Sequence, residues 1–407
     1  MTDCYQYGAG GQVRCYLPSA VSARFGPNFG LLFAAALLQE MSFFLLVNFP
    51  GYLETLGVTE SLIGVLYAAG AVLALLFRPA LGRILDLTHR RTVLLITGGL
   101  NAVVVLALVT TTVWGPVLWV LFLSQRVLQI ALFTTMLTYG ADSIPVEHRT
   151  QGLALFGLSG LFPIALGGVA GDLVIDAFGY SALFILASAA SLTSWLLVWR
   201  LPLLPILGHR PRRGFWAAVA QRNLLPLWWV TLTFSIGMET VFTFTRTFVA
   251  DRGIGSTGLF FGVYGVTAAA MRIVGGRHYD RVPQRPLVAG SLLAYGTALG
   301  LMAIAGNAFI IATAAVAAGL AHGALFPILS SQVVGRARTA ERGSAMSIFT
   351  SIFDIALLAS APAVGVLIDG FDYRTAFSAV AFVLGIGAVV YTVWDRRLVA
   401  SEATTPA

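Results

Sequence analysis

The chain has 407 residues, of which 57% are hydrophobic and only 11% charged, with a formal net charge of +7. So little charge does not keep a soluble domain of this length in water. The positive balance is not a nucleic-acid footprint either, because the arginines recur in alternate loops instead of clustering on one segment. Every basic residue except histidine is arginine. The missing lysine excludes a P-loop, so an ion gradient is a better energy source for any uphill work than ATP hydrolysis.

Residues 1–28 form a loose polar tail without the apolar run of a cleaved signal peptide. Its Cys4 and Cys15, the only cysteines, have neither nearby histidines nor a second pair, so they make no metal site. Apolar runs of about twenty residues then recur, each long enough to cross a ~30 Å hydrocarbon core at ~1.5 Å per residue. They read as twelve spans, at 29–54, 60–82, 92–112, 115–140, 151–175, 180–200, 224–249, 257–277, 286–306, 308–333, 343–368 and 374–394. The longest polar interruption carries Pro202, Pro205, Pro211 and the basic run His209, Arg210, Arg212 and Arg213. It divides the chain into a tail (1–28), an N-terminal bundle (29–200), a basic linker (201–223), a C-terminal bundle (224–395) and a C-terminal tail (396–407).

Arginine sets the orientation. The loops holding Arg83, Arg90 and Arg91, then Arg149, then Arg210 to Arg222, then Arg277 to Arg285, then Arg336 and Arg338 all fall on one side. The opposite loops carry mainly Glu54, Glu60, Asp176, Asp251, Asp369 and Asp372, with Arg252 and Arg374 as exceptions. Basic loops stay in the cytoplasm, which places both termini and the linker there.

Inside this pattern lies a duplication. Arg78, Gly82, Arg83 and Asp86 recur as Arg272, Gly276, Arg277 and Asp280, 194 positions later, with identical R-x-x-x-G-R-x-x-D spacing. A second match, Asp176-x-Phe178-x-Tyr180-x-x-x-Phe184 with Asp369-x-Phe371-x-Tyr373-x-x-x-Phe377, has an offset of 193. Two matches at nearly equal offsets mark a duplicated half. The fold expected is an all-α membrane protein of twelve transmembrane helices in two pseudo-symmetric six-helix bundles.

This organisation resembles the major facilitator superfamily over residues 29 to 397. Its most specific element is Gly82-Arg83-Ile84-Leu85-Asp86-Leu87-Thr88-His89-Arg90-Arg91, similar to the family's G-x-L-x-D-R-x-G-R-R/K loop. Leu87 and His89 depart from the pattern. Glycine at 82 lets two helix ends approach closely. Asp86 can then accept from a helix N-terminus or pair with arginine. Arg78, Gly82, Arg83, Asp86, Arg90 and Arg91, with Arg272, Gly276, Arg277 and Asp280, therefore read as a cytoplasmic gate; arginines that only enforce topology are the competing reading. In the fourth span, Gln125, Arg126 and Gln129 resemble the R-x-x-Q-G signature of proton-coupled exporters, with Ile130 in place of the glycine. Pro163, Gly167 and Gly168 resemble the exporters' G-P-x-x-G-G motif with one residue of extra spacing. Phe49-Pro50-Gly51-Tyr52 and His322-Gly323-x-x-x-Pro327 are in the style of bacterial drug, sugar and metallophore efflux members.

Ionisable residues within spans are costly and mark pathways. Counted from the cytoplasmic ends, Glu40, His322 and Asp354 lie about 16 Å deep, and Glu239 and Arg126 about 21 Å. Five such groups at one level point to a shared polar cavity, with Gln39, Phe44, Asn48, Gln129 and Tyr264 as candidate lining. Glu40 and Arg126 are the expected coupling pair, against a static ion pair as the competing reading. Glu239, Asp354 and His322 are further proton-coupling candidates or simply hydrogen-bonded groups. Arg246, near the outer end of span seven, could pair outward. The chain carries no H-E-x-x-H, no G-x-S-x-G and no soluble sensory domain, so an enzyme or sensor is a remote alternative. The function expected is proton-coupled export of a small molecule from the bacterial inner membrane, by a monomer without cofactor or nucleic-acid partner. Uptake symport of a sugar or organic acid is the alternative, and the superfamily's breadth leaves the cargo unnamed.

Overall fold

The computed structural model describes residues 4–7, 12–15, 28–144, 155–204, 218–275, 282–338 and 341–404. In place of a loose tail, β1 (Cys4–Tyr7) and β2 (Gln12–Cys15) pair antiparallel with Cys4 opposite Cys15. From Phe29 onward the regular structure is helical. The first half of the chain contributes α1 (Phe29–Leu45), α2 (Phe49–Thr55), α3 (Glu60–Leu87), α4 (Arg90–Ala107), α5 (Pro116–Ser143) and α6 (Leu158–Val198). The second contributes α7 (Leu225–Arg252), α8 (Thr257–Gly275), α9 (Gln284–Ala303), α10 (Ala308–Arg336), α11 (Arg342–Gly370) and α12 (Tyr373–Thr404). A short 3₁₀ turn, Leu46–Asn48, joins α1 to α2 so that Phe29–Thr55 runs as one segment.

Eleven helical segments among the described residues are long and apolar enough to cross a membrane. Their outward faces carry Leu76, Val103, Leu173, Phe178, Phe309 and Phe382, each at least 65% exposed. A water-facing protein does not tolerate an apolar surface on that scale, whereas lipid requires it. One segment is unlike the rest. The 41-residue α6 is broken at Gly179, whose φ of 78° and ψ of −178° are non-helical and favour glycine. Proline opens α5 (Pro116) and α7 (Pro226), where the missing N–H costs nothing.

Two seams join the first half to the second, α3 against α11 and α6 against α8. Both are built on glycine. A Cβ added at Gly64 would lie 2.2 Å from the Ala361 carbonyl oxygen, and one at Gly365 would lie 2.4 Å from that of Glu60. In the other seam, Gly258 meets Val169 and Gly168 backbone at 2.9 and 3.2 Å, and Gly265 meets Ala165 at 2.6 Å. The two seams are copies of each other. Gly258 follows Gly64 by the same 194 positions that separate Arg78 from Arg272, and Ala361 and Pro362 follow Gly168 and Val169 by 193. The sequence repeat is thus also a repeat of contacts.

The repeated arginine signature sits differently from expectation. Nothing from Gly82 to Leu87 breaks the helix, so this stretch is the last turns of α3 and only Thr88 and His89 separate it from α4. Gly82 and Arg83 are exposed, and a Cβ at Gly82 would meet nothing within 4 Å. The close approach expected there occurs instead toward the opposite end of α3, at Gly64. Gly276, Arg277, Asp280 and Arg149 lie outside the described residues, as do residues 205–217 of the linker and the Asp86 side chain.

Alanine at the two α3 glycines should therefore have opposite effects. Gly64→Ala forces the α3–α11 backbones apart and should destabilise the protein by about 1–3 kcal/mol. Gly82→Ala adds a better helix former at an open position and should stabilise it by up to ~1 kcal/mol. Melting temperatures of the detergent-purified variants, shifted in opposite directions, are the expected result.

Candidate functional site

Between the seams lies a cavity of about 180 Å³. Its polar lining is Gln125 and Arg126 from α5, Glu239 and Thr243 from α7, and His322 from α10. Its apolar lining includes Phe43, Phe44, Tyr67, Phe122, Met238 and Phe242. Residues of both chain halves thus face one space.

Arg126 is placed by stacking. Its guanidinium carbon lies 5.7 Å from the Phe43 ring centre and 5.8 Å from that of Tyr67, a distance at which the ring quadrupole attracts a cation. Gly70 on α3 makes room, since a Cβ there would lie 3.1 Å from Cγ of Arg126. Arg126 interacts electrostatically with both Glu239 and Asp354, and these two carboxylates with each other.

Glu40 is not the partner of Arg126. Its carboxylate accepts from Nε2 of Gln129 at 3.2 Å. Behind that bond runs a chain of donors. Asn101 donates to Ser191 (3.0 Å), Ser191 to Oε1 of Gln39 (3.0 Å), and Nε2 of Gln39 to Oε1 of Gln129 (3.0 Å). All four hydrogen bonds point toward the carboxylate, which polarises them cooperatively. Glu40, Gln39 and Gln129 therefore belong to a buried network beside the cavity, not to its wall. Asn48, fully buried, packs against Gly171. Of the five expected lining residues, only Phe44 lines the space.

His322 does reach the cavity, and its Nδ1 shares a 2.5 Å hydrogen bond with the Tyr264 hydroxyl. Tyr264 sits behind it as a support. Asp354 forms an ion pair with Arg78, Nη2 to Oδ2 at 2.6 Å, while Arg78 also donates to the Thr350 hydroxyl at 3.2 Å. This joins α3 to α11 and ties an expected gate residue to an expected coupling residue. Arg272 stands over the Phe326 ring at 5.6 Å. Arg90 pairs with Asp142 at 3.0 Å, and Arg91 donates to the Trp199 carbonyl. Both contacts stay within the first half, as those of Asp395 with Arg285 (2.7 Å) and Arg336 (2.6 Å) stay within the second.

Further polar contacts between the halves lie at the acidic end. Asp369 accepts from the backbone N–H groups of Glu60 (3.1 Å) and Ser61 (2.9 Å), at the N-terminus of α3. Asp172 accepts from the N–H of Gly258 at the N-terminus of α8. Each places a carboxylate on the positive end of a helix, where unsatisfied N–H groups await it. Arg246 pairs with Asp172 at 3.2 Å and donates to the Tyr180 hydroxyl at 3.3 Å, so it turns inward instead of outward. The Tyr373 hydroxyl donates to Glu60. Sequence reasoning missed Asp172; a carboxylate within a span, after Gly167, Gly168 and Gly171, was the available signal. Those glycines divide the work, because Gly167 and Gly171 pack on Phe44 and Asn48 while Gly168 packs on Phe261.

A cavity shared by two duplicated helical halves, clasped at one end and set among apolar membrane helices, defines a multi-pass membrane transporter. The model of the Major Facilitator Superfamily matches residues 31–289 and 254–406, and the chain belongs to that family as a secondary transporter. It is 26% identical over 368 residues to an MFS-type transporter of Salmonella typhimurium, covering 85% of this chain and 90% of that protein. It is 23% identical over 344 residues to the staphylopine export protein of Staphylococcus aureus, covering 77% and 82%. Among solved structures, a POT peptide transporter aligns with a TM-score of 0.78 at 13% identity, covering 91% of this chain and 94% of that one. The nucleoside transporter NupG aligns at 0.71, also at 13% identity, covering 90% and 99%.

The Asp172–Arg246 pair should be energetically coupled. In a double-mutant cycle with Asp172→Asn and Arg246→Gln, thermal denaturation should return an interaction energy of about 1–3 kcal/mol. Each single variant leaves one charge without its partner, so the double variant should be less destabilised than the sum of the two.

Proposed function

We propose that this transporter exports a small molecule in exchange for protons, by alternating access between two six-helix halves, 29–200 and 224–395, joined by the basic linker 201–223. Counting α6 twice, once on each side of Gly179, supports twelve crossings, because 41 residues rise about 60 Å against a ~30 Å core. The positive-inside pattern directs the arginine-rich end and both termini to the cytoplasm of a bacterial inner membrane. On that orientation the clasped end faces outward and the cavity is loaded from the cytoplasm. The Arg78–Arg91 and Arg272–Asp280 elements then act as the gate in the opposite conformation.

The observation that carries this reading is that Arg126 and Glu239, from different halves, share one cavity. Rocking of the halves or entry of substrate changes the distance between them. A carboxylate that loses a guanidinium neighbour in a low-dielectric site takes up a proton, while arginine keeps its charge. Glu239 is therefore the proton carrier and Arg126 its switch. His322 and the Arg78–Asp354 pair respond to the same movement, and Glu40 holds its amide network beside them. Export is favoured over uptake by the exporter-like Arg126-x-x-Gln129 and Pro163, Gly167, Gly168 elements, and by the likeness to a staphylopine export protein. The protein acts as a monomer, with the proton as coupling ion.

Everted membrane vesicles acidified by respiration test this. Addition of a transported compound should release protons from wild-type vesicles, and Glu239→Gln should abolish that release. Glu40→Gln, which keeps an acceptor for Gln129, should retain release at reduced turnover. Silence across a broad compound panel would remove the export reading, and accumulation of a labelled compound by right-side-out vesicles would favour uptake.

A further inference from the structure

The charges in the cavity specify more than coupling. Arg126 and Glu239 are opposite in sign, come from α5 and α7, and form no ion pair with each other or with any other described residue. Nε of Arg126 is buried without a hydrogen-bond partner. Its guanidinium lies over the Phe43 and Tyr67 rings, and its N–H groups match the geometry of a carboxylate. The rest of the wall is largely aromatic: Phe44, Phe122 and Phe242 approach the same space.

We infer that the cavity takes a compact zwitterion, an apolar body bearing one carboxylate and one ammonium, with Arg126 holding the carboxylate and Glu239 the ammonium. The assignment rests on the reading of this cavity as the transport site. A ligand without the ammonium leaves Glu239 to be neutralised by a proton, its hydrogen-bond partner missing. One without the carboxylate leaves the Arg126 charge buried and uncompensated, which is strongly disfavoured. A neutral ligand leaves both. Sites built with fixed polar groups reject analogues lacking the matching group far more sharply than apolar pockets reject a missing methylene. The volume sets the size of the body. At about 180 Å³ the cavity is on the scale of the ~150 Å³ engineered cavity that accommodates benzene, so the body is one ring or one branched chain. An amino acid or a close derivative fits this description.

The test is a matched ligand series on the purified full-length protein, with binding followed by thermal shift and intrinsic tryptophan fluorescence. The probes are L-phenylalanine, L-phenylalaninamide (ammonium only) and 3-phenylpropionate (carboxylate only), with L-leucine, L-leucinamide and 4-methylpentanoate as the aliphatic set. At least one zwitterion should bind about ten-fold or more tightly than either singly charged analogue. Arg126→Gln should remove its advantage over the amide, and Glu239→Gln its advantage over the carboxylate. Equal affinities, a preference for a singly charged compound, or no binding of either zwitterion overturns the assignment; the wild-type series alone decides this, whatever the variants' folding. Met238→Trp, which fills the cavity, separates the two levels of failure. Binding that survives it removes the site itself, whereas binding lost without a charge preference removes only the zwitterion.

Discussion

Two helical halves inside a bilayer have no hydrophobic force to hold them together, since lipid tails are as apolar as the helix faces they would leave. Everything about how these halves meet follows from that constraint. The contacts available are close backbone packing and polar groups that have no better partner in hydrocarbon. Gly64, Gly365, Gly258 and Gly265 supply the first, and Asp369 and Asp172, each on a helix N-terminus, supply the second. Both kinds vanish over short distances. Such a seam is firm when made and offers little resistance once parted, which suits a protein that must do both.

The same economy of partners shapes the interior. Glu40 ends a one-way chain of amide and hydroxyl donors that begins at Asn101. Amide groups do not relay protons as hydroxyls or water do, so this chain fixes helix positions instead of conducting. It draws α1, α4, α5 and α6 together around one carboxylate. The cavity charges Arg126 and Glu239 are, by contrast, held by rings and by each other's field. One set of charges is structural within a half, and the other lies in the cavity that both halves line.

Much of this was legible in the residues themselves. Apolar run length located most helices to within a few residues, though the fifth and sixth runs form the single 41-residue α6, and the 193 and 194 offsets foretold contacts that are themselves duplicated. Counting along each span gave Glu40, Arg126 and Glu239 a similar expected depth. Depth, however, is only one of the two coordinates of a side chain on a helix. Gln129 lies three residues from Arg126 on α5, yet that step takes it to Glu40 while Arg126 reaches Phe43 and Tyr67. Helix rotation is set by packing against neighbours, which no single segment encodes. For the same reason Asp172 and Arg246, on α6 and α7, could each be read as a charge in a span but not as a pair. The glycine motif was legible as a pattern, but the close approach on α3 is made by Gly64 and not by the motif's Gly82.

The duplication is also incomplete in one informative place. Arg78 has Asp354 across the α3–α11 seam, but the position related to Asp354 by the 193 offset is Leu161, a buried apolar residue. The α6 position equivalent to Asp354 thus carries no carboxylate, and Arg272 stands over the Phe326 ring. Two seams that descend from one ancestor thus differ in what must be broken to part them below mid-depth. On the α3–α11 side the Arg78–Asp354 ion pair bridges the halves; at the matching α6 position stands a buried leucine. The doubled seams are therefore equal in backbone contact and unequal in charge, so substituting Asp354 and substituting Leu161 are not equivalent changes.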